Sequence, residues 1–525
     1  MNFMDAIKNT LDNEMNVSVT ENGAVGYRTT GKDLLDLNFA VASLRDMSDE
    51  NIAQRFRKAF CEDNILAMKW LFYARDVREG LGERRLFRVV LADLVNSNPE
   101  MVIPLINLIP EYGRYDDLWC LLDNPESARN VYLIVDAQLR KDRLDAAAGK
   151  PISLLAKWMP SINASSLKTR EYGKKLCKAL GMTERNYRQM LSKLRKHMDV
   201  VEVKMSNKDW SGIKYEGVPS RANLIYNKAF LRNDEERRRE FLGRLENGET
   251  KINASTLFPH DIVHKYMSKG YYERLNAKDA TLEALWTALP DTVKGCGNTI
   301  VVADGSGSMT SPVDRKSSVT ALDVANALAI YFAERSSGQF KDVYITFSEN
   351  PQFVDLSHCN SLHAKLQTAL AHNEVANTNI EAVFDMILTA AVNNHMSQED
   401  LPANILIISD MEFDRCAIGG VTGKTMDYWG RPRYTCAAVD QRLFDAISKK
   451  YTDAGYKMPR LVFWNVNSST GTIPVKENDL GVALVSGFST NVAKMVMSGK
   501  TDPFECLLET LNSDRYAPIE KALTK

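Results

Sequence analysis

The chain has 525 residues, of which 44% are hydrophobic and 25% charged, and its formal net charge is −1 at pH 7. This composition is typical of a globular protein with about two to four domains, and it excludes a protein that is basic overall. The eight cysteines form no CxxC pair, no apolar window is long enough for a membrane span, and the N-terminus lacks a secretory signal. We therefore expect a soluble, cytoplasmic protein with reduced thiols.

Residues 1 to about 290 are predicted to be almost wholly helical. In NIAQRFRKAFCEDNILAMKWLFYARD the apolar residues recur at helical spacing, and alternating runs of Val, Ile and Thr are scarce throughout this half. Successive helices joined by short turns predict an all-α domain over residues 1–290, arranged as a HEAT-like solenoid, although no sequence repeat is evident. In YGRYDDLW, the position of Arg114 beside Asp116 and Asp117 predicts a structural salt bridge between repeats rather than a binding site.

Residues 151–200 are strongly basic, with eleven Lys and Arg against three acidic residues. Such a cluster would neutralise phosphates, and the interleaved Trp158, Tyr172 and Tyr187 could stack unpaired bases, which together favour RNA or another polyanion as ligand. The alternative is a pair of solvated amphipathic helices whose aromatic residues belong to the core. The candidate RNA-binding residues are Lys168, Arg170, Lys174, Lys175, Lys178, Arg185, Arg188, Lys193, Arg195 and Lys196.

The character of the sequence changes near residue 296. Five short apolar runs, NTIVVAD, DVYITFS, NILIISD, RLVFWNV and GVALVSG, alternate with helical stretches. Continuous apolar runs indicate strands buried on both faces, so residues 296–500 are predicted to form a doubly wound, largely parallel α/β domain. Residues 501–525 are predicted to be helical again and to pack back on the first domain.

The stretch VVADGSGSMT places oxygen-bearing side chains directly after the first predicted strand. In a parallel sheet, Asp304, Ser306 and Ser308 should share one edge with Asp410, which follows NILIISD, and with Thr378 in a separate loop. Carboxylates and hydroxyls suit Mg²⁺ or another hard divalent cation, and so few ligands leave a coordination position open for an anionic oxygen. The alternative is that the loop only caps the following helix, whereas a P-loop is excluded because no GxxxxGK[ST] follows the strand.

The order D-x-S-x-S, then a distant Thr, then a distant Asp resembles the metal-ion-dependent adhesion site of von Willebrand factor A domains, although this chain has ANTN where that family has glycines. The motifs RDVREGLGERRLFR, PEYGRYDDLW and FWNVN resemble a family of unknown function and, through it, the Ro autoantigen (TROVE) proteins. The resemblance implies a ring of HEAT-like repeats closed by a von Willebrand A domain. It also implies binding of structured non-coding RNA outside the ring and of RNA ends in its hole.

Other motifs indicate no catalytic site. His260 and His264 in HDIVH lack the Glu of a zinc protease, and the simpler interpretation is a helix N-terminus that follows Pro259. Cys416 and Cys436 flank a long Gly-rich loop, and no Ser-His-Asp order emerges. We therefore predict a non-enzymatic, RNA-binding scaffold of the ribonucleoprotein type with no DNA or membrane partner. The alternative is an adaptor whose metal ion captures an acidic residue of a partner protein.

Overall fold

Helices make up most of the first half of the chain, and a six-stranded mixed sheet lies in the second half, so the protein is a mixed α/β structure. The computed structural model describes residues 16–19, 25–267, 275–293, 298–314, 317–348, 350–373, 379–411, 421–426, 432–436, 441–467, 473, 483–492 and 502–524. None of the helices in these ranges combines the length and the apolar composition that a membrane span needs.

Within the described ranges, fourteen α-helices lie between residues 33 and 246, and eight more follow them. The first fourteen are α1 Asp33–Phe39, α2 Val41–Leu44, α3 Asp49–Glu62, α4 Asn64–Arg75, α5 Arg84–Ser97, α6 Pro99–Val102, α7 Ile109–Tyr112, α8 Pro125–Ala147, α9 Leu155–Trp158, α10 Leu167–Ala179, α11 Glu184–His197, α12 Val201–Ser206, α13 Ser220–Asn233 and α14 Glu235–Glu246. The remaining eight are α15 Pro259–Tyr266, α16 Ala280–Thr287, α17 Ala321–Arg335, α18 Leu362–Ala371, α19 Ile380–Asn393, α20 Gln441–Asp453, α21 Pro503–Leu511 and α22 Ala517–Leu523.

The strands are short and most of them fall after residue 298. They are β1 Val17–Val19, β2 Val25–Tyr27, β3 Thr299–Asp304, β4 Val343–Phe347, β5 Phe353–Asp355, β6 Asn404–Ser409, β7 Val421–Met426, β8 Pro432–Cys436, β9 Arg460–Asn465 and β10 Ala483–Ser486. Short 3-10 helices occur as well, among them Ile103–Leu108, Tyr115–Asp123 and Gly307–Thr310.

The chain divides into two compact units, one formed by residues 48–256 with 511–525 and the other by residues 1–47 with 257–510. These boundaries differ from the predicted ones at 290–296 and 500–501, because the first 47 residues belong with the sheet. Helix α1 buries Leu34, Leu35 and Phe39, and the side-chain amide of Asn465 at the end of β9 donates to the Phe39 carbonyl at 3.2 Å.

The helical unit is organised around buried ion pairs as well as apolar side chains. Asp117 is fully buried and accepts from Arg75 Nε at 2.8 Å, from Arg88 Nε at 2.6 Å and from the backbone N–H of Arg114 at 3.0 Å. The Arg114 guanidinium donates to Asp116 at 2.8 and 2.6 Å, so this salt bridge lies within the turn, whereas the sequence predicted a bridge between repeats. The C-terminal residues join this unit, because Arg515 Nε donates to Asp76 at 2.8 Å.

The other unit contains the six-stranded sheet, whose order is β10-β9-β6-β3-β4-β5. All neighbouring strands are parallel except β5, which runs antiparallel to β4. After β3 the chain first builds β4 and β5 on one side and then crosses to β6 on the other. The direction of winding therefore changes between β3 and β6.

Helices cover both faces of this sheet. Side chains alternate along each strand, so Val302, Ile407 and Phe463 face one apolar layer together with Phe384 of α19 and Tyr451 of α20. On the opposite face, Trp464 packs edge-on against Phe332 of α17, a helix that is buried from Ala321 to Ala333. The strands are buried on both faces, as their continuous apolar runs predict.

Candidate functional site

The loop after β3 is held by hydrogen bonds to Asp304. Asp304 is buried at the strand end, and its Oδ1 accepts from the backbone N–H of Ser306 at 2.9 Å. The 3-10 turn Gly307–Thr310 then brings Ser306 Oγ and Ser308 Oγ to 3.1 Å from each other. A Cβ on Gly305 would lie 3.2 Å from Asn373 Oδ1, so glycine permits the close approach of this neighbouring loop. The three predicted oxygen ligands of this loop therefore lie together.

The end of β6 completes this edge of the sheet. Ser409 follows Ile408, which pairs with Ala303 near the end of β3, and its hydroxyl donates to Asp304 Oδ2 at 2.6 Å. Asp410 follows directly and is also buried, with an exposed fraction of 3%. Because β3 and β6 flank the reversal of winding, these groups occupy the position at which open α/β sheets bind ligands.

One predicted metal ligand lies outside the described residues. This residue is Thr378, and residues 417–420 and 427–431 of the Gly-rich loop between Cys416 and Cys436 lie outside them as well. Asn379, the residue after Thr378, accepts from the backbone N–H of Ala382 at 3.0 Å and caps α19. The structure thus brings together four of the five predicted metal ligands on one sheet edge.

The spacing of the two serine hydroxyls can be compared with that of adjacent ligands of a small hard cation. Two adjacent ligands of octahedral Mg²⁺ at about 2.1 Å lie about 3.0 Å apart, close to the 3.1 Å between the two serine hydroxyls. Both Asp304 oxygens already accept hydrogen bonds, so this carboxylate would act through its remaining lone pairs or through metal-bound water. Among the described residues no group of three or more His, Cys, Asp or Glu is placed to hold a metal, so hydroxyls would have to supply part of the shell.

Asn373 and Ser409 are polar residues of this edge that the sequence did not identify. Asn373 Nδ2 is buried without a hydrogen-bond partner in the described part of the chain, next to Gly305. Two features of the sequence could have pointed to them: Ser409 directly precedes Asp410 at the end of an apolar run, and Asn373 lies two residues after the end of α18, before a polar stretch.

Helices α10 and α11 carry the predicted RNA-binding residues. Ser166 and Thr183 cap them, each accepting from a backbone N–H in the first turn. Their apolar faces are buried, while six cations are exposed and, within the described ranges, make no ion pair or hydrogen bond. These six are Lys174, Lys178, Arg185, Arg188, Lys193 and Lys196, and we call them the open cations.

The other four predicted RNA-binding residues contact carbonyl or carboxylate groups within the helical unit. Arg195 donates to the carbonyls of Ala156 and Met159, both at 2.8 Å, so it closes the end of α9, and burial lowers its pKa. Lys175 bonds to Asp123 at 2.8 Å, and Lys168 lies 3.7 Å from the same carboxylate. Arg170 donates to the Ala164 carbonyl at 3.0 Å.

The proposed role of aromatic residues in base stacking is wrong for two of the three residues. Tyr187 is fully buried, with its hydroxyl on the Pro160 carbonyl, and Tyr172 is buried with its hydroxyl on Asp123. Trp158 lines an open cleft of about 950 Å³, but the Arg114 guanidinium lies 3.8 Å from its ring centre. The tyrosines are core residues, as the alternative interpretation of amphipathic helices has it.

The two histidines of α15 lie in different surroundings and do not converge on a metal. His260 lies against Phe258 and Phe488. His264 Nδ1 lies 2.7 Å from Asp323 Oδ2, and its Nε2 lies 3.0 Å from Ser318 Oγ. This Ser-His-Asp relay was not predicted, because its members are 54 and 59 residues apart along the chain.

Family models account for most of the chain. Residues 20–111 and 131–299 match a domain of unknown function, DUF2828, and residues 298–517 match a second one, DUF7788. The chain is therefore similar to two families of unknown function that adjoin at the start of β3. It is also 28% identical over 546 residues to an uncharacterized protein, L728, of Acanthamoeba polyphaga mimivirus, covering 96% of this chain and 89% of the viral protein.

These matches contradict the predicted relationship to the Ro autoantigen (TROVE) proteins. DUF2828 is a family distinct from TROVE, and neither matched model nor the viral relative points to TROVE or to a von Willebrand factor A domain. The step from a family of unknown function to the TROVE proteins was therefore wrong. The ring closed by a von Willebrand A domain, which only that resemblance implied, loses its support.

Proposed function

We propose that this protein is an RNA-binding scaffold whose ligand lies along α10 and α11. The observation that carries the proposal is the set of six open cations on two consecutive helices. Some cations elsewhere in the helical unit, such as Arg75 and Arg88, are instead paired with carboxylates. Unpaired Lys and Arg side chains bind phosphates chiefly by releasing condensed counterions. Such a scaffold requires no catalytic group.

The number of open cations sets the expected salt dependence. If all six contact phosphates of a single strand, the logarithm of the binding constant should fall with a slope of about −4 against the logarithm of salt concentration. Affinity should then drop by about 300-fold between 50 and 200 mM salt. Arg195 should contribute little, because its guanidinium is occupied by backbone carbonyls.

Charge reversal tests this proposal directly. The variant K174E/K178E/R188E/K193E should lose RNA binding and flatten the salt slope in a filter-binding or fluorescence-anisotropy titration with a 20-nucleotide RNA. The control K58E/K141E/K214E/K251E alters four exposed lysines of the same unit and changes the net charge equally. Equal affinities of the two variants would show that these helices are not the RNA surface.

We further propose that the sheet unit is doubly wound and holds a divalent cation, Mg²⁺ by preference, at the edge formed by Asp304, Ser306, Ser308 and Asp410. Support comes from the strand order, from helices on both faces and from the spacing of the serine hydroxyls. The second candidate function follows from this edge: a cation with an open position would bind an acidic side chain of a partner protein.

Manganese provides a spectroscopic probe of this edge. Binding of Mn²⁺ to the wild-type protein should change the electron paramagnetic resonance spectrum of the ion, and added Mg²⁺ should reverse this change by displacing Mn²⁺. D304N and S306A/S308A should each weaken Mn²⁺ binding by at least about tenfold. S311A, which changes an exposed serine of the same loop, serves as control. Chelation should abolish protein-partner capture but leave RNA binding unchanged, which separates the two functions.

A further inference from the structure

A hydrogen-bonded Ser-His-Asp relay joins α15 to the loop before α17. Asp323 Oδ2 accepts from the Thr320 backbone N–H at 3.1 Å as well as from His264 Nδ1–H at 2.7 Å. Because the carboxylate fixes the proton on Nδ1, Nε2 is left as the acceptor that faces the Ser318 hydroxyl at 3.0 Å. This distance lies within the range of nucleophile–base pairs in enzymes.

The three side chains become more exposed from Asp323 through His264 to Ser318, as a catalytic relay requires, because the nucleophile has to reach a substrate. The side chain of Asp323 is 4% exposed, that of His264 is 19% exposed, and Ser318 lies at the surface. A purely structural link between α15 and α17 needs only the His264–Asp323 bond, since Thr320 already caps α17 by a reciprocal bond with Asp323. The Ser318 hydroxyl is not needed to connect α15 with α17, yet it contacts His264 and is also exposed to solvent.

We propose that Ser318 is a nucleophile, with His264 as its general base and Asp323 as the positioning residue, acting on carboxylic esters at the surface of the sheet unit. Oγ of Ser318 bonds to the ester carbonyl carbon while His264 Nε2 takes the hydroxyl proton. The bond from that carbon to the alcohol oxygen then breaks, and His264 gives the proton to the departing alcohol. Water repeats the sequence on the acyl-serine, which releases the carboxylic acid and restores Ser318.

An activity-based probe tests the nucleophile. A fluorophosphonate should modify the full-length protein at Ser318, located by peptide mass spectrometry, and p-nitrophenyl acetate should be hydrolysed. S318A should abolish both signals and H264A should slow both by about 100-fold. S311A, an exposed serine in the same loop, should retain them.

Two further readouts separate chemistry from structure. Free imidazole should partly restore labelling in H264A, which a merely structural role would not produce, and D323N should slow labelling while S318A keeps the wild-type unfolding temperature. The proposal is overturned if Ser318 forms no adduct, or if the adduct forms equally fast in wild type and H264A. It does not rest on RNA binding, which S318A should leave unchanged.

Discussion

Removing the carboxylate of Asp117 should destabilise the helical unit more than any surface charge change. Asp117 and Arg75 are 0% and 1% exposed, and Arg88 and the Arg114 N–H bond to the same carboxylate. D117A leaves one guanidinium buried without its counter-charge, and breaking a buried pair in this way costs about 3–5 kcal/mol. For a unit of this size, that loss lowers the unfolding temperature by about 6–20 °C.

The assay is urea unfolding followed by circular dichroism, together with a double-mutant cycle over Arg75 and Asp117. R75A and D117A should each cost several kcal/mol, while R75A/D117A should cost less than their sum by at least about 2 kcal/mol, because the second change removes a charge that the first left unpaired. D136N removes an exposed pair with Arg140 and should cost about 0.5 kcal/mol or less. If the free energies of unfolding of D117A and D136N differ by less than about 1 kcal/mol, the ion pairs around Asp117 do not stabilise the unit as their burial implies.

Other predictions concern the same unit. A Cβ on Gly113 would lie 2.4 Å from Asp117 Oδ2, so G113A should lose about 1–3 kcal/mol in denaturant unfolding. Burial raises the pKa of Asp116, but the hydrogen bond from Arg114 and the charge of Arg88 outweigh it and hold the pKa below its ordinary value. Ionised Asp116 therefore adds to the free energy of unfolding at neutral pH, and this contribution is lost as the pH falls below about 4. In D116N the free energy of unfolding should consequently fall less steeply with decreasing pH in the acid range. Burial raises the pKa of the Cys120 thiol to about 12, so at pH 8 iodoacetamide should alkylate the exposed Cys61 at least about tenfold faster, as peptide mass spectrometry can measure.

The strands of the sheet were predictable because burial on both faces leaves a continuous apolar run in the sequence. NTIVVAD, DVYITFS, NILIISD, RLVFWNV and GVALVSG contain β3, β4, β6, β9 and β10. The antiparallel edge strand β5 was missed, since its three residues alternate between exposed and buried. The prediction also assigned α1 to the helical domain, although it belongs to the unit that contains the sheet. An apolar helix face does not specify what it packs against, and Asn465, which bonds to the Phe39 carbonyl, lies 426 residues away.

The candidate metal site was predictable to the extent that topology determines it. Parallel strands bring their carboxyl ends to one edge, so Asp304 and Asp410 had to lie near each other once β3 and β6 were neighbours. Composition could not show which basic residues stay open. Arg195 and Lys174 look alike in the sequence, yet Arg195 turns inward onto carbonyls at the end of α9 while Lys174 remains exposed. That distinction depends on tertiary contacts.

The relay through His264 shows why a search for catalytic order along the chain fails here. Catalytic geometry depends on which side chains meet in space, and unrelated hydrolases place the same three residue types in different orders. In this chain the proposed base, His264, precedes the proposed nucleophile, Ser318, by 54 residues and Asp323 follows, and none of the three lies in a recognised catalytic motif. What the sequence does contain is the capping box that fixes Asp323 at the start of α17. The same Asp323 oxygen that accepts from the Thr320 backbone N–H also faces His264 Nδ1. In the proposed relay, this carboxylate at the N-terminus of α17 would hold the proton on Nδ1 and leave Nε2 to accept from Ser318.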